Sequence, residues 1–220
     1  MGNIDLSNIN IANIQTISGM TMPEILQQMK SLGIGISGDN YTIRDYTGII
    51  TGNIVTGGTV SMGGYDWIVT AIMPSERIFY MACTECTSKV KYGSTHVYST
   101  STLAQTAKDF AASLPSNVQD VLLSIASGGV TQKCHAPTLA QVTTWFSSNS
   151  DLQLKYEGAA TSWWLIDQGL ESNLTNAPLA NTAMYVDTSG TIQRGGWMSG
   201  TAPASVSTTY GFRPVVALMM

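Results

Sequence analysis

The sequence predicts an α+β protein: short twisted antiparallel sheets, two to three helices and long loops, preceded by an N-terminal β-arm and a short helix. Three observations lead there. Residues 3–17 repeat an Asn–Ile pattern at strand spacing. Three helix-start signals follow a pair of apolar runs, between residues 102 and 141. The last third holds three short apolar stretches: Ser162-Trp163-Trp164-Leu165-Ile166-Asp167, Ala183-Met184-Tyr185-Val186 running on to Ile192, and Gly211-Phe212-Arg213-Pro214-Val215-Val216-Ala217-Leu218. Long segments of Asn, Thr, Ser, Gly and Ala separate them. Such strands form a scaffold that carries irregular loops, where binding residues concentrate.

At 220 residues the chain accommodates one full domain and an accessory segment. Charged residues make up 11% of it, against about a quarter in an ordinary globular chain. Uncharged polar residues and glycine take their place, which suits strands and turns. A net charge of -4 without a basic cluster argues against nucleic acid as a partner. The start, Met1-Gly2-Asn3-Ile4-Asp5-Leu6, has neither the basic residues nor the apolar run of a signal peptide. Leu6 stands where a myristoylation pattern has Ser or Thr. No apolar run approaches the length of a membrane span, so no membrane insertion is expected. These features predict synthesis in a cytoplasm, where the chain stays or which it leaves by a route other than secretion, such as assembly into a particle freed by lysis.

The repeat comprises Asn3-Ile4-Asp5-Leu6-Ser7, Asn8-Ile9-Asn10-Ile11-Ala12 and Asn13-Ile14-Gln15-Thr16-Ile17. Ile4 and Leu6, then Ile9 and Ile11, stand two apart, which places each pair on one side of a strand. So short a segment cannot bury its own isoleucines. Ile4, Leu6, Ile9, Ile11, Ile14 and Ile17 are therefore expected to pack on a neighbouring subunit as an assembly arm. The alternative is an edge strand on the chain's own body. A short helix is predicted next, with Thr21, Pro23 and Glu24 at its start and Gly33 after its end. Ile25, Met29 and Leu32 line one face of it, and Ile25 and Met29 extend the assembly surface, for which a homotrimer is the favoured arrangement. Glycines break every apolar run from 33 to 64. The attachment segment with its linker is placed at 1–58 and the main domain at 59–220.

The main domain opens on a hairpin, with strands at Tyr65–Ile72 and Ile78–Cys83 and a turn between them. Thr102-Leu103-Ala104-Gln105, Ser116-Asn117-Val118-Gln119 and Thr138-Leu139-Ala140-Gln141 each read as a capping box that starts a helix. Their apolar stripes are Leu103, Ala107, Phe110 and Leu114; Val118, Val121, Leu122 and Ile125; and Leu139, Val142, Trp145 and Phe146. Pro214 cannot donate to a strand ladder, so Arg213-Pro214 belongs at a strand start or edge, with Val215–Leu218 free to be a central strand. Arg213 is expected to be structural, paired with a buried acid, Asp167 or Asp187, or with loop carbonyls.

Three cysteines make a poor disulfide framework. Cys83-Thr84-Glu85-Cys86 has the spacing of a zinc-binding pair, and Cys134-His135 could add ligands. Adjacent residues on an extended chain point to opposite faces, however, so Cys134 and His135 do not readily hold one ion. Neither a metal nor any other cofactor is expected. His96 and His135 lie outside any nucleophile–base motif, which makes them structural or surface residues and leaves no catalytic set. A metal enzyme using Cys83, Cys86 and Cys134 is the competing class.

Gly63-Gly64-Tyr65-Asp66-Trp67-Ile68-Val69, Ser162-Trp163-Trp164-Leu165, Ala183-Met184-Tyr185-Val186, Ser189-Gly190-Thr191-Ile192 and Gly211-Phe212-Arg213-Pro214-Val215 follow one another across about 60–220. In that order they resemble the C-type-lectin-like domain found in gut bacterial and phage proteins, a distant relative of formylglycine-generating enzymes. The calcium-dependent sugar motifs of classical C-type lectins do not occur here, and all three cysteines precede residue 135, too early for formylglycine chemistry. The remaining activity the resemblance implies is display of a binding surface, from 168–182 and 193–210. It implies a non-enzymatic phage virion protein: a capsid decoration, head fibre or tail-tip module, bound to other virion proteins and presenting the domain to a host-surface glycan or protein. Trp163, Trp164, Arg194, Trp197 and Tyr210 are the candidate ligand contacts, because Trp, Tyr and Arg anchor such surfaces. Of Trp163 and Trp164, one is expected to be buried and the other exposed or at an interface. The alternative function is purely architectural: a cement between capsid or tail subunits that binds no ligand.

Overall fold

Two glycine pairs set the hairpins from which the larger part of the chain is built. Gly63 and Gly64 have φ of 63° and 84°, and Gly128 and Gly129 have φ of 58° and 82°. Two-residue turns with both φ positive match the twist of the strands they join. The first joins β4 (Thr59–Met62) to β5 (Tyr65–Met73), and the second joins β8 (Ile125–Ser127) to β9 (Val130–Gln132). The structure is a computed structural model and describes residues 16–17, 20–21, 43–148, 162–171, 177–195 and 202–220.

The chain divides into two compact units, Met1–Asp45 and Tyr46–Met220. In the first, β1 (Thr16–Ile17) pairs antiparallel with β2 (Met20–Thr21), Ile17 opposite Met20. The repeat positions Ile4, Leu6, Ile9, Ile11 and Ile14 and the helix expected to carry Ile25 and Met29 lie outside the described residues. The second unit starts ahead of the expected 59. Its first strand, β3 (Ile50–Gly52), is paired with β4, and the Tyr46 hydroxyl donates to the Met219 carbonyl at 2.6 Å.

The second unit is mixed α+β, with mostly antiparallel strands in open sheets. The five-stranded sheet runs β15-β6-β5-β4-β3, with β6 at Ile78–Cys83 and β15 at Val215–Met219. The larger sheet runs β12-β11-β10-β14-β7, and β13 also pairs with β11. Its strands are β7 (Ser88–Lys91), β10 (Trp163–Leu170), β11 (Pro178–Val186), β12 (Ile192–Gln193), β13 (Ala204–Ser205) and β14 (Thr209–Phe212). β10 and β14 are parallel; the other pairings in this sheet are antiparallel. The core between the sheets follows the period-two rule. Ile68, Ala82 and Val215 come from one sheet, and Trp163, Leu165, Met184 and Val186 from the other. Val142 and Trp145 of α3 (Leu139–Ser148) complete it. Phe110 of α1 (Thr102–Ser113) bridges the sheets on another side, with ring centroids 6.2 Å from Trp67 and 6.0 Å from Phe212.

The late stretch Gly211–Leu218 is two strands and not one. β14 ends at Phe212 in the larger sheet, and β15 begins at Val215 in the smaller. Arg213-Pro214 is the crossover, where a residue without an amide hydrogen breaks the ladder at no cost to pairing. β15 lies between β6 and two single bridges, Leu122 to Leu218 and His135 to Val215. Similarly, much of the expected loop 168–182 is strand, since β10 reaches Leu170 and β11 begins at Pro178.

One of the three capping boxes forms as expected. Thr138 Oγ1 accepts from the Gln141 amide at 3.0 Å, and Gln141 Oε1 accepts from the Thr138 amide at 3.0 Å. At α1 the cap is Ser101, which accepts from the Ala104 amide at 3.0 Å; Gln105 instead donates to Asp109 at 2.7 Å. Ser and Thr are equivalent as caps, and Ser101-Thr102 offers both, so the sequence leaves the register open by one residue. At the second site α2 is a single turn, Ser116–Gln119, capped by Pro115 without a side-chain bond. Gln119 donates to the carbonyls of Ala112 and Leu114, closing the end of α1 rather than starting α2. The expected stripe through Ile125 is therefore not helical: Leu122 bridges to β15 and Ile125 opens β8.

Candidate functional site

Trp164 and Tyr185 are paired across β10 and β11, so they share one face of the larger sheet. Met184 and Val186, flanking Tyr185, point into the core. The opposite face is where the rings collect. Tyr210, from β14, lies with its ring centroid 4.8 Å from that of Trp164 and 4.6 Å from that of Tyr185. Trp164 is in turn braced by Tyr92, whose centroid is 5.6 Å away, and its Nε1 donates to the Val90 carbonyl at 3.0 Å. Tyr185 and Tyr210 are half-buried, and Trp164 is fully buried beneath them. The result is two phenol rings held on a rigid base, with part of each open to solvent. Offset and tilted contacts of this kind add about 0.5–1.5 kcal/mol each beyond burial.

Burial, then the hydrogen bond to Tyr210 and the neighbouring Tyr210 and Asp187, push the Tyr185 phenol up to about 12. The Tyr185 hydroxyl therefore stays protonated at neutral pH and can donate as well as accept. The turn beside Tyr185 is closed by its own hydrogen bonds. Asp187 accepts from the amides of Ser189 and Thr191, each at 2.9 Å, and from Gln193 Nε2 at 2.6 Å. Burial opposes ionisation of Asp187, but the bonds from Ser189, Thr191 and Gln193 hold its carboxyl below the usual range.

Of the expected ligand contacts, Tyr210 lies on this face. Arg194 is exposed next to Gln193, the residue paired with Tyr185, and its carbonyl accepts from the Leu170 amide at 2.9 Å. Trp197 lies outside the described residues. Trp163 and Trp164 are a correction: both are buried, at 2% and 0% exposure. They do face opposite ways, but each face is covered at that point, one by the core and the other by Tyr92, Tyr185 and Tyr210. Tyr185 was not among the expected contacts. The signal for it was present, because Met184 and Val186 read as inward and the residue between them must face out.

The second cluster of chemistry lies at the crossover. Arg213 is fully buried, donates from Nη2 to the Thr84 carbonyl at 2.9 Å, and sets its guanidinium carbon 4.7 Å from the centre of the Trp163 ring. The loop-carbonyl partner expected for it is thus present. Asp167 instead accepts from the Leu139 amide at 2.6 Å, at the start of α3. Cys83, Cys86 and Cys134 are free thiols. Burial pushes the Cys83 thiol up to about 11 and raises those of Cys86 and Cys134 as well. At neutral pH all three are therefore thiols and poor nucleophiles. Among the described residues, no three His, Cys, Asp or Glu side chains are grouped to hold a metal ion. His135 is buried, and its Nδ1 lies 2.7 Å from the Ala136 carbonyl. Among the described residues, no helix is long and apolar enough to cross a membrane.

No protein-family model, curated protein or solved structure matches this chain.

Proposed function

We propose that the chain is a non-enzymatic phage virion structural protein, a capsid decoration, head fibre or tail-tip module, whose second unit is a C-type-lectin-like domain displayed for host-surface binding. The observation that carries this reading is the half-open Tyr185–Tyr210 pair on a rigid aromatic base. Two half-buried phenol rings suit the C–H faces and hydroxyls of a glycan, or an apolar side chain of a surface protein. The buried, protonated thiols and the enclosed His135 support a recognition role over an enzymatic one. The first unit, with its Asn–Ile repeat, serves attachment to other virion proteins and assembly, as a trimer. The order of motifs from Gly63 to Val215 supports the lectin-like assignment.

The test is binding of the full-length protein to host cells and to an array of surface glycans, compared with the variants Tyr185→Ala and Tyr210→Ala. Binding that falls tenfold or so in each, with unchanged thermal unfolding, supports recognition at this face. If no cell or glycan binds, or if the variants bind as well as the parent, the architectural role as a cement protein takes its place.

A further inference from the structure

A groove that shares no lining residue with the aromatic face lies between α1 and the β8–β9 hairpin. Its volume is about 640 Å³. That is within the range of small-molecule sites, roughly 300–1,000 Å³. Its walls are fixed. The turn of the hairpin packs on Tyr98, since a Cβ on Gly128 would stand 2.5 Å from that ring. The Tyr98 hydroxyl accepts from Gln132 Nε2 at 3.0 Å and from the Ala136 amide at 3.1 Å, tying the hairpin to the start of α1.

The lining has an unusual composition for this chain. A strip of alanine methyls lines the groove along α1, with Ala112 exposed and Ala104 and Ala111 almost fully buried. Gln105, Gln119 and Gln132 donate from Nε2 to Asp109, to the Ala112 and Leu114 carbonyls and to Tyr98, which leaves their Oε1 atoms as acceptors, with hydroxyls from Ser and Thr around them. Lys108 and Lys133 line it too, and no carboxylate is among the lining residues. Asp109, next along α1, is held by Gln105. Lys133 donates one hydrogen bond to the Gln119 carbonyl at 2.5 Å, which leaves two of its three donors. The protein as a whole is acidic, at -4, so a local excess of positive charge selects for an anion. A small inorganic anion would fill little of the volume and would use neither the methyl strip nor the amides. A sugar acid presents all three complementary features: an apolar C–H face, hydroxyls and a carboxylate.

We propose that the groove between α1 and the β8–β9 hairpin binds an acidic saccharide, with Lys108 and Lys133 supplying the charge and the glutamine Oε1 atoms accepting from its hydroxyls. This site is independent of the Tyr185–Tyr210 face. Isothermal titration of the full-length protein with trigalacturonate and with 3′-sialyllactose tests it. The methyl ester of trigalacturonate serves as a control of the same shape without the charge. At least one acid binds at millimolar concentration, its affinity falls with added salt, and the ester binds about tenfold more weakly. Lys108→Ala weakens binding about fivefold, Lys108→Arg restores it, and Lys133→Gln acts in the same direction. Lys108 is exposed, so its replacement leaves folding intact. The proposal is overturned if neither acid binds, if the ester binds as well as the acid, if the lysine variants bind like the parent, or if inorganic phosphate displaces the sugar at equal concentration.

Discussion

Arg213 and Thr84 join two places where the chain crosses between the sheets. Arg213 follows β14 and leads to β15; Thr84 follows β6 and leads to β7. The Arg213 Nη2 bond to the Thr84 carbonyl, at 2.9 Å, lies between two backbone bonds. These run from the Cys83 amide to the Pro214 carbonyl at 2.9 Å and from the Thr87 amide to the Phe212 carbonyl at 3.0 Å. The two crossovers are therefore laced together, and the guanidinium carbon also lies over the Trp163 ring. A lysine ammonium cannot keep the planar donor geometry and the flat ring contact together. Arg213→Lys is expected to lower stability by about 2–3 kcal/mol, read from urea unfolding of the full chain. A loss under about 0.5 kcal/mol would mean that the crossovers hold without the arginine.

Four single substitutions separate the true caps from their look-alikes. Ser101→Ala and Thr138→Ala each remove a side-chain oxygen that accepts an amide of the first turn, so each should cost about 1 kcal/mol. Thr102→Ala should be close to neutral, because Thr102 is exposed inside the helix and alanine is the better helix former. Gln119→Ala should destabilise the end of α1, where its amide closes the Ala112 and Leu114 carbonyls. Equal effects of Ser101→Ala and Thr102→Ala on the thermal midpoint would contradict this assignment.

The sequence carried the local signals and lacked the long-range ones. The hairpin at 65–83, the turns at Gly63-Gly64 and Gly128-Gly129 and the capping box at Thr138 depend on neighbours in the chain, and each formed where its residues indicated. Pro214 marks Arg213-Pro214 as a strand start or edge. That the chain changes sheet there depends on β6 and β7, well over a hundred residues earlier, and no local pattern encodes it. The site was half legible for the same reason. Alternation around Tyr185 gives its direction, but whether Trp164 is exposed depends on Tyr92 and Tyr210 arriving from other strands. The lysine groove was invisible, because Lys108 and Lys133 meet only through tertiary packing.

Gly211 and Cys86 form a tight contact that explains the glycine in β14. A Cβ at 211 would lie 2.5 Å from Cys86 Sγ, 2.9 Å from its Cβ and 3.3 Å from the Ser162 carbonyl. Gly211→Ala is therefore expected to cost about 1–3 kcal/mol from overpacking. Cys86→Ala removes the sulfur and relieves the closest clash. The double variant should recover part of the loss, with a coupling of at least about 0.5 kcal/mol in a double-mutant cycle of urea unfolding. Strict additivity would show that the strain lies in the backbone and not against the thiol.

His135 gives the protein an acid-sensitive joint. Its backbone exchanges hydrogen bonds with Val215, at 3.1 and 2.9 Å, and its side chain is enclosed there. The Ala136 carbonyl can only accept, so Nδ1 carries the ring proton, and Nε2 is buried without a partner among the described residues. Burial lowers the His135 pKa, and the Ala136 bond opposes that only in part. Below the ordinary value of 6.5 the unfolded chain thus takes up a proton that the folded chain refuses. The stability His135 allows is fully present above that value and is lost as the pH falls toward the folded pKa, at no more than about 1.4 kcal/mol per pH unit. Asp167 works the other way, because burial raises its pKa and the folded chain then holds the extra proton. The comparison that isolates His135 is the difference in unfolding free energy between the parent and His135→Phe across this window. That difference should shift in favour of the variant as the pH falls, and a flat difference would show that the folded protein admits the protonated ring.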